Sequence, residues 1–176
     1  FGEFAAAALA GTWSLESACQ AVATRAKLFD TLEKGSVLSV ITDKELPELP
    51  HDIVIAAFNH SQALTLSGPE ESMSLFSKSI EEKVLKTHLL PIPHCVHHPQ
   101  LKVLEKFFQS DLNAIEFHPL NIPLISSFTG EKKLTLNSGY FARQLSESVQ
   151  FEKASKALPK DAFCIEISPG KGLQSI

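Results

Sequence analysis

Three imidazoles and a thiol fall within seven residues, Pro93-His94-Cys95-Val96-His97-His98-Pro99. The stretch follows an apolar run at 89–92 and precedes a helical pattern at 101–108. Junctions of this kind set side chains at a strand end or a cleft mouth, where reacting groups collect. Histidine titrates closest to working pH and is the commonest general base. Such a base would serve a Ser or Cys nucleophile lying elsewhere in the chain. A metal site is a competing reading, but no other group has zinc-like spacing, and adjacent His97 and His98 cannot easily face one ion. Surface or structural histidines are a third. Cys95 is poorly placed as the nucleophile: two residues from His97 in an extended segment, it crowds the ring in one geometry and points the wrong way in the other. No Ser lies in a G-x-S-x-G elbow.

Arg25 is the second residue with chemical promise. Leu15, Ala18, Val22, Phe29 and Leu32 recur at spacings of three and four, giving one apolar helical stripe. Ser14 is a good N-cap for that helix, with Glu16 in its first turn. Arg25 falls inside the stripe, and a guanidinium on a buried face needs a partner. A nearby Asp or Glu, or solvent at the stripe's edge, would satisfy it. So would a ligand carboxylate held bidentately in a cleft.

The elements that must position these groups follow from the pattern. Residues 3–10 are strong helix formers ended by Gly11. After Gly35, short β-branched runs at 37–41, 53–58 and 63–66 read as strands. Residues 43–51 hold Pro47 and Pro50 and read as a crossover loop, with Ser67-Gly68-Pro69 as a turn. Residues 70–83 form an amphipathic helix with Met73, Phe76 and Ile80 inward, and 84–92 a fourth strand. The order β-loop-β-β-α-β resembles a ferredoxin-like α+β lobe with its first helix reduced. Beyond the histidines, 101–108 reads as a helix with Val103, Leu104, Phe107 and Phe108 on its apolar side. Residues 123–128 read as a strand, 140–145 and 151–158 as helices, and 163–167 as a buried strand stopped by Ser168-Pro169-Gly170. Helices alternating with strands on both sides of the lobe give an α/β main domain of residues 1–34 and 93–176, with 35–92 inserted.

Composition narrows the class. The 176 residues are 44% hydrophobic and 20% charged, as in a globular protein. A net charge of −4 without a basic block argues against a nucleic-acid partner. No apolar run approaches the roughly 20 residues of a membrane span, and 4–11 is too short for a signal peptide. Cys19, Cys95 and Cys164 are an odd, scattered set, which points to reduced thiols in a cytoplasmic protein; Cys19 and Cys164 fall in apolar patterns and read as core.

The chain opens on Phe1-Gly2-Glu3-Phe4 without a Met or an N-cap, and reads as a fragment cut within a strand-turn-helix unit. Phe1-Gly2-Glu3 before an Ala-rich helix is what would remain of Gly-His-Ser-Phe-Gly-Glu after its Ser. Here the chain resembles the acyltransferase domain of polyketide and fatty acid synthases, the malonyl-CoA:acyl carrier protein transacylase family. The likeness runs nearly end to end. It includes Leu9-Ala10-Gly11 to Ser14-Leu15-Glu16, Thr24-Arg25-Ala26, Asn59 with Ser67-Gly68-Pro69, and His94-Cys95-Val96-His97-His98-Pro99 against His-Ala-Phe-His-Ser-Pro. Tyr140 to Phe151, with Gln144 and Val149, and Glu166-Ile167-Ser168-Pro169-Gly170-Lys171 fit two closing motifs.

The resemblance implies a hydrolase-like α/β main domain and a ping-pong transfer of a malonyl-type unit from coenzyme A. The acyl group would pass through an acyl-Ser to the phosphopantetheine thiol of an acyl carrier protein. His97 would be the general base, the Phe1 backbone N–H an oxyanion-hole donor, and Arg25 the carboxylate clamp. Gln144 would orient His97 through its backbone carbonyl. His94 and Val96 would shape extender choice, with His favouring malonyl and the small Val96 widening the site; His98 would be exposed. No resident cofactor or metal is implied, and a neighbouring ketosynthase is. The rival readings are a non-catalytic docking or scaffold domain and an acyl hydrolase of the same fold.

Overall fold

The Ala-rich run after Gly2 folds as α1 (Gly2–Leu9), and Gly11 ends it with a left-handed backbone, φ 90°. The computed structural model describes residues 2–167. Ser14 caps α2 (Leu15–Phe29), its side chain accepting the Ser17 N–H at 3.1 Å. These helices share one core with α4 (Lys102–Leu112) and α5 (Ser138–Arg143), built around aromatic rings. Phe141 lies 4.5 Å from Trp13 and 4.8 Å from Phe4, centroid to centroid, with Phe108 against Phe4. The Trp13 indole N–H donates to the Phe4 carbonyl, so the ring is buried without an orphaned donor.

A mixed α/β architecture follows. Strands β1 (Gly35–Ile41), β2 (Val54–His60), β3 (Ala63–Pro69) and β4 (Lys86–Leu90) form one antiparallel sheet in the order β2-β3-β1-β4. Helix α3 (Glu70–Ile80) lays Met73, Phe76 and Ile80 on Leu38, Val40 and Leu66 of that sheet. The proline-bearing crossover stays a loop, yet its Leu46 and Leu49 pack on the same cluster and Ile53 is buried in it. A 3-10 turn (Pro99–Leu101) leads into α4 (Lys102–Leu112). Then come β5 (Leu124–Ile125) and β6 (Lys132–Lys133), α5 (Ser138–Arg143) and α6 (Phe151–Lys156).

Several expectations fail for identifiable reasons. Ser67-Gly68-Pro69 is not a turn but the end of β3, paired with Gly35 and Ser36. Gly68 is needed there because a Cβ would lie 2.9 Å from the Asp52 carbonyl. The chain reverses without a separate turn, since Pro69 itself starts α3. Helix α3 stops at Ile80 and the fourth strand begins only at Lys86. The 123–128 strand shrinks to Leu124–Ile125. Residues 163–167 form no strand and, apart from half-buried Glu166, are exposed, Phe163 at 90%; among the described residues no strand pairs with them. Ser168-Pro169-Gly170 lies outside the described residues. Cys164 is exposed on irregular chain, and Leu15, Cys19, Val103 and Phe107 are exposed on helices whose inward arc is narrower than the apolar residues available.

Candidate active site

His97 sits between β4 and α4 with a left-handed backbone, φ 49°, a strained conformation for any residue with a Cβ. The surrounding chain holds it there. Lys34 and His94 form an antiparallel bridge, the Gly35 N–H donates to the Pro93 carbonyl at 3.0 Å, and the Val96 N–H donates to Ser67 Oγ at 2.9 Å. Gly35 permits this crossing: a Cβ would collide with the Cys95 backbone nitrogen and sit 2.6 Å from its Sγ.

The His97 ring has a defined tautomer. Its Nδ1 lies 3.0 Å from the Glu147 carbonyl, which can only accept, so Nδ1 carries the proton and Nε2 the lone pair. Burial, and then the charge of Arg25, push the pKa of His97 down to about 4, against the opposing pull of the Glu147 and Gln144 carbonyls. At neutral pH the ring is an uncharged acceptor. Arg25 is buried on α2, its guanidinium 5.5 Å over the Phe4 ring and 5.4 Å over Phe29. Desolvation lowers its pKa to about 10, which leaves it cationic at neutral pH.

Both groups reach one cavity of about 380 Å³, whose wall also includes Glu3, Ser127 and Gln144 beside the apolar Leu124, Ile125, Val149 and Phe151. A larger groove of about 730 Å³ between α1 and α2 is almost wholly apolar, with Cys19 its one titratable group. The smaller cavity is therefore where a cation, a neutral base and apolar walls coincide.

Glu3 organises its far side. The carboxylate accepts from Ser127 Oγ, from the Tyr140 hydroxyl, and from Gln144 Nε2 at 2.7 Å. Burial, then the charge of Glu3, hold the Tyr140 phenol well above its ordinary pKa, so it stays a donor. Nothing in the sequence marks this role, because an acid in the first turn of a helix is an ordinary dipole partner.

The other candidate residues divide. Phe1 lies outside the described residues. Gln144 is on the cavity and its carbonyl acts on His97, together with the carbonyl of Glu147, three residues on, which lies 3.0 Å from Nδ1. His94 and Val96 are not on the cavity wall; the His94 ring meets Phe29, one of the two rings under the guanidinium, edge-on at 6.5 Å. His98 is not exposed, as the sequence suggested, but 8% accessible: Nε2 donates to the Asp52 carbonyl at 3.2 Å and Nδ1 accepts from the Gln100 N–H. Cys95 is buried, and burial raises its thiol pKa, which disfavours the thiolate. Among the described residues, no three His, Cys, Asp or Glu are grouped to hold a metal ion, and no helix is long and apolar enough to cross a membrane.

Over residues 1–176 the chain matches the acyl transferase domain family, and it is a member of that family. It is 31% identical over 166 residues to the spectinabilin polyketide synthase system protein NorB of Streptomyces orinoci, covering 89% of this chain and 8% of that protein. Against the erythronolide synthase EryA2 of Saccharopolyspora erythraea the identity is 29% over 178 residues, covering 96% and 5%. The chain thus spans less than a tenth of these relatives. Among solved structures, the acyltransferase domain from the second module of the salinomycin polyketide synthase superposes with a TM-score of 0.78 at 29% identity, covering 87% of this chain and 38% of that one. Malonyl-CoA:acyl carrier protein transacylase of Helicobacter pylori shares the fold, with a TM-score of 0.78 at 20% identity, over 89% and 54%.

Proposed function

We propose that this chain is the base-bearing and clamp-bearing part of an acyltransferase that moves a malonyl-type unit from coenzyme A to an acyl carrier protein in polyketide or fatty acid synthesis. The observation that carries the reading is one cavity in which a neutral His97, its proton on Nδ1, shares a wall with the buried cation of Arg25.

In this reading the nucleophile is the Ser that the family resemblance puts directly before Phe1. His97 Nε2 takes the hydroxyl proton as Oγ adds to the thioester carbonyl. The tetrahedral oxyanion forms against the Phe1 N–H and a second donor, and collapses to the acyl-Ser. The imidazolium returns the proton to the departing coenzyme A thiolate. The second half runs in reverse: His97 deprotonates the phosphopantetheine thiol, which attacks the acyl-Ser, and the proton goes back to Oγ. Arg25 grips the free carboxylate of the malonyl unit, an ion that a wall of Leu124, Ile125 and Phe151 would otherwise reject.

The sheet order β2-β3-β1-β4 supports a ferredoxin-like reading of the 35–92 lobe, with the 43–51 loop in place of its first helix, beside a hydrolase-like remainder. His94 would influence extender choice through Phe29, which stacks under the clamp, and not by lining the cavity. A neighbouring ketosynthase and a cytoplasmic setting belong to the same reading.

The test is acyl-enzyme formation on the complete domain, read as a mass shift after mixing with malonyl-, methylmalonyl- or acetyl-CoA. A malonyl adduct that Arg25→Ala reduces by roughly 10- to 100-fold is the expected result, since a charge-assisted pair contributes roughly 1.5–3 kcal/mol. Release of free malonate without transfer to a carrier protein would point to a hydrolase. No adduct from any donor would point to a docking domain.

A further inference from the structure

The segment from Gln144 to Val149 carries the carbonyl that faces His97, and it is tied down on three sides. Gln144 Nε2 donates to Glu3 on α1, and Ser146 Oγ donates to Glu105 on α4. Ser148 Oγ donates to the Ile55 carbonyl on β2 at 2.6 Å. Val149 then runs parallel to β2: its N–H donates to the Ala56 carbonyl at 2.8 Å, and its carbonyl accepts from the Phe58 N–H at 2.8 Å. Between these ties the Glu147 carbonyl is presented to His97 Nδ1. Ser146 and Ser148 flank Glu147 in the chain and both are tied by their side chains, Ser146 to helix α4 and Ser148 to the sheet.

We propose, on the acyl-transfer reading above, that Ser148 is a positioning residue: by anchoring this segment to β2 it holds the Glu147 carbonyl on His97 Nδ1 and so fixes the tautomer whose Nε2 accepts the proton. Both neutral tautomers of an imidazole are close in energy, and what selects one is the hydrogen bond made by the other nitrogen. A carbonyl displaced by an ångström no longer makes that bond. The ring then populates the form with the proton on Nε2, which cannot act as a base toward the nucleophile. Strand β2 thereby takes part in the chemistry without lining that cavity with its own side chains.

The test uses the complete domain, as in the loading assay above, with ¹⁵N-labelled histidine rings, His97 being assigned by the resonances that His97→Gln removes. Ser148→Ala is expected to shift His97 from the Nδ1-protonated pattern to a mixture of tautomers, while Ser148→Thr, which keeps the hydroxyl, retains the wild-type pattern. Malonyl loading by Ser148→Ala should fall roughly 5- to 10-fold in kcat with KM unchanged, the size of one lost neutral hydrogen bond. Ser155→Ala, which removes a comparable hydroxyl-to-carbonyl bond on exposed α6, controls for the substitution itself. A Ser148→Ala protein whose His97 keeps the wild-type pattern overturns the proposal, whether or not its rate falls, because the serine then acts on the fold alone. If the wild type transfers no acyl group yet the ring pattern responds to Ser148→Ala, the positioning stands and the acyl-transfer reading fails.

Discussion

Replacing His97 by Gln removes one titrating group from the cavity, and the pH dependence of stability then reports its environment. In the folded chain the ring is held at about 4, against an ordinary value of 6.5. Between those two values the unfolded chain binds the proton and the folded chain does not, so wild-type stability falls as pH drops through that window. The separation of about 2.5 units corresponds to a loss of about 2 kcal/mol by pH 5 and about 3 kcal/mol by pH 4 relative to neutral pH. The Gln variant lacks this slope. Carboxylates titrate in the same range, so the quantity to read is the wild-type-minus-variant difference in urea unfolding free energy from pH 7.5 to 4. It should be flat above pH 7 and then turn steadily against the wild type. Acyl loading by the wild type should likewise keep its acid limb near pH 4. A difference that stays constant across the range, or an acid limb near 6.5, would refute the argument that burial and Arg25 keep this base neutral.

Two further outcomes follow from the packing around the site. Gly35→Ala places a methyl group against the Cys95 backbone, where no flexible side chain can yield; it should cost about 1–3 kcal/mol and slow acyl loading by shifting the 94–97 segment, measured by denaturant melts alongside the loading assay. Maleimide should label Cys19 and Cys164 in the native chain and spare Cys95 until denaturant is added, as intact mass would show; native triple labelling would contradict the burial of Cys95.

The sequence disclosed the chemistry-bearing residues better than the connections between them. Arg25 stood out because a charge interrupting an apolar helical stripe is a local anomaly, and His97 because three imidazoles lie together. The lobe was legible because β1 holds Val37, Val40 and Ile41, β2 opens on Val54 and Ile55, and α3 has a clean inward face at Met73, Phe76 and Ile80. What could not be read was decided by partners distant in sequence. Glu3, Glu147 and Ser148 look like ordinary surface residues until Tyr140, His97 and Ile55 are brought to them. Residues 163–167 failed in the opposite way: alternating Phe163, Ile165 and Ile167 have the pattern of a strand, but a strand forms only against a neighbour. His98 was misjudged because an adjacent histidine pair looks solvated, whereas a backbone carbonyl from Asp52 satisfies its ring within the protein.

The Glu3 cluster also has a bearing on how the chain reaches this arrangement. Its bonds to Ser127, Tyr140 and Gln144 span 124, 137 and 141 residues, whereas the Asn59–Thr65 contact within the lobe spans six. Closing the longest of these loops costs about 3 kcal/mol more chain entropy than closing the shortest. The hairpin of β2 and β3 can therefore form early, while the walls of the cavity meet only when both ends of the chain arrive. During refolding, pulse-labelled hydrogen exchange should protect amides of β3 before those of Phe58 and Val149. Simultaneous protection would show instead that lobe and cavity nucleate together. A newly made chain would on this account pass through a state that has its sheet but no working base, and catalytic competence would be the last property it acquires.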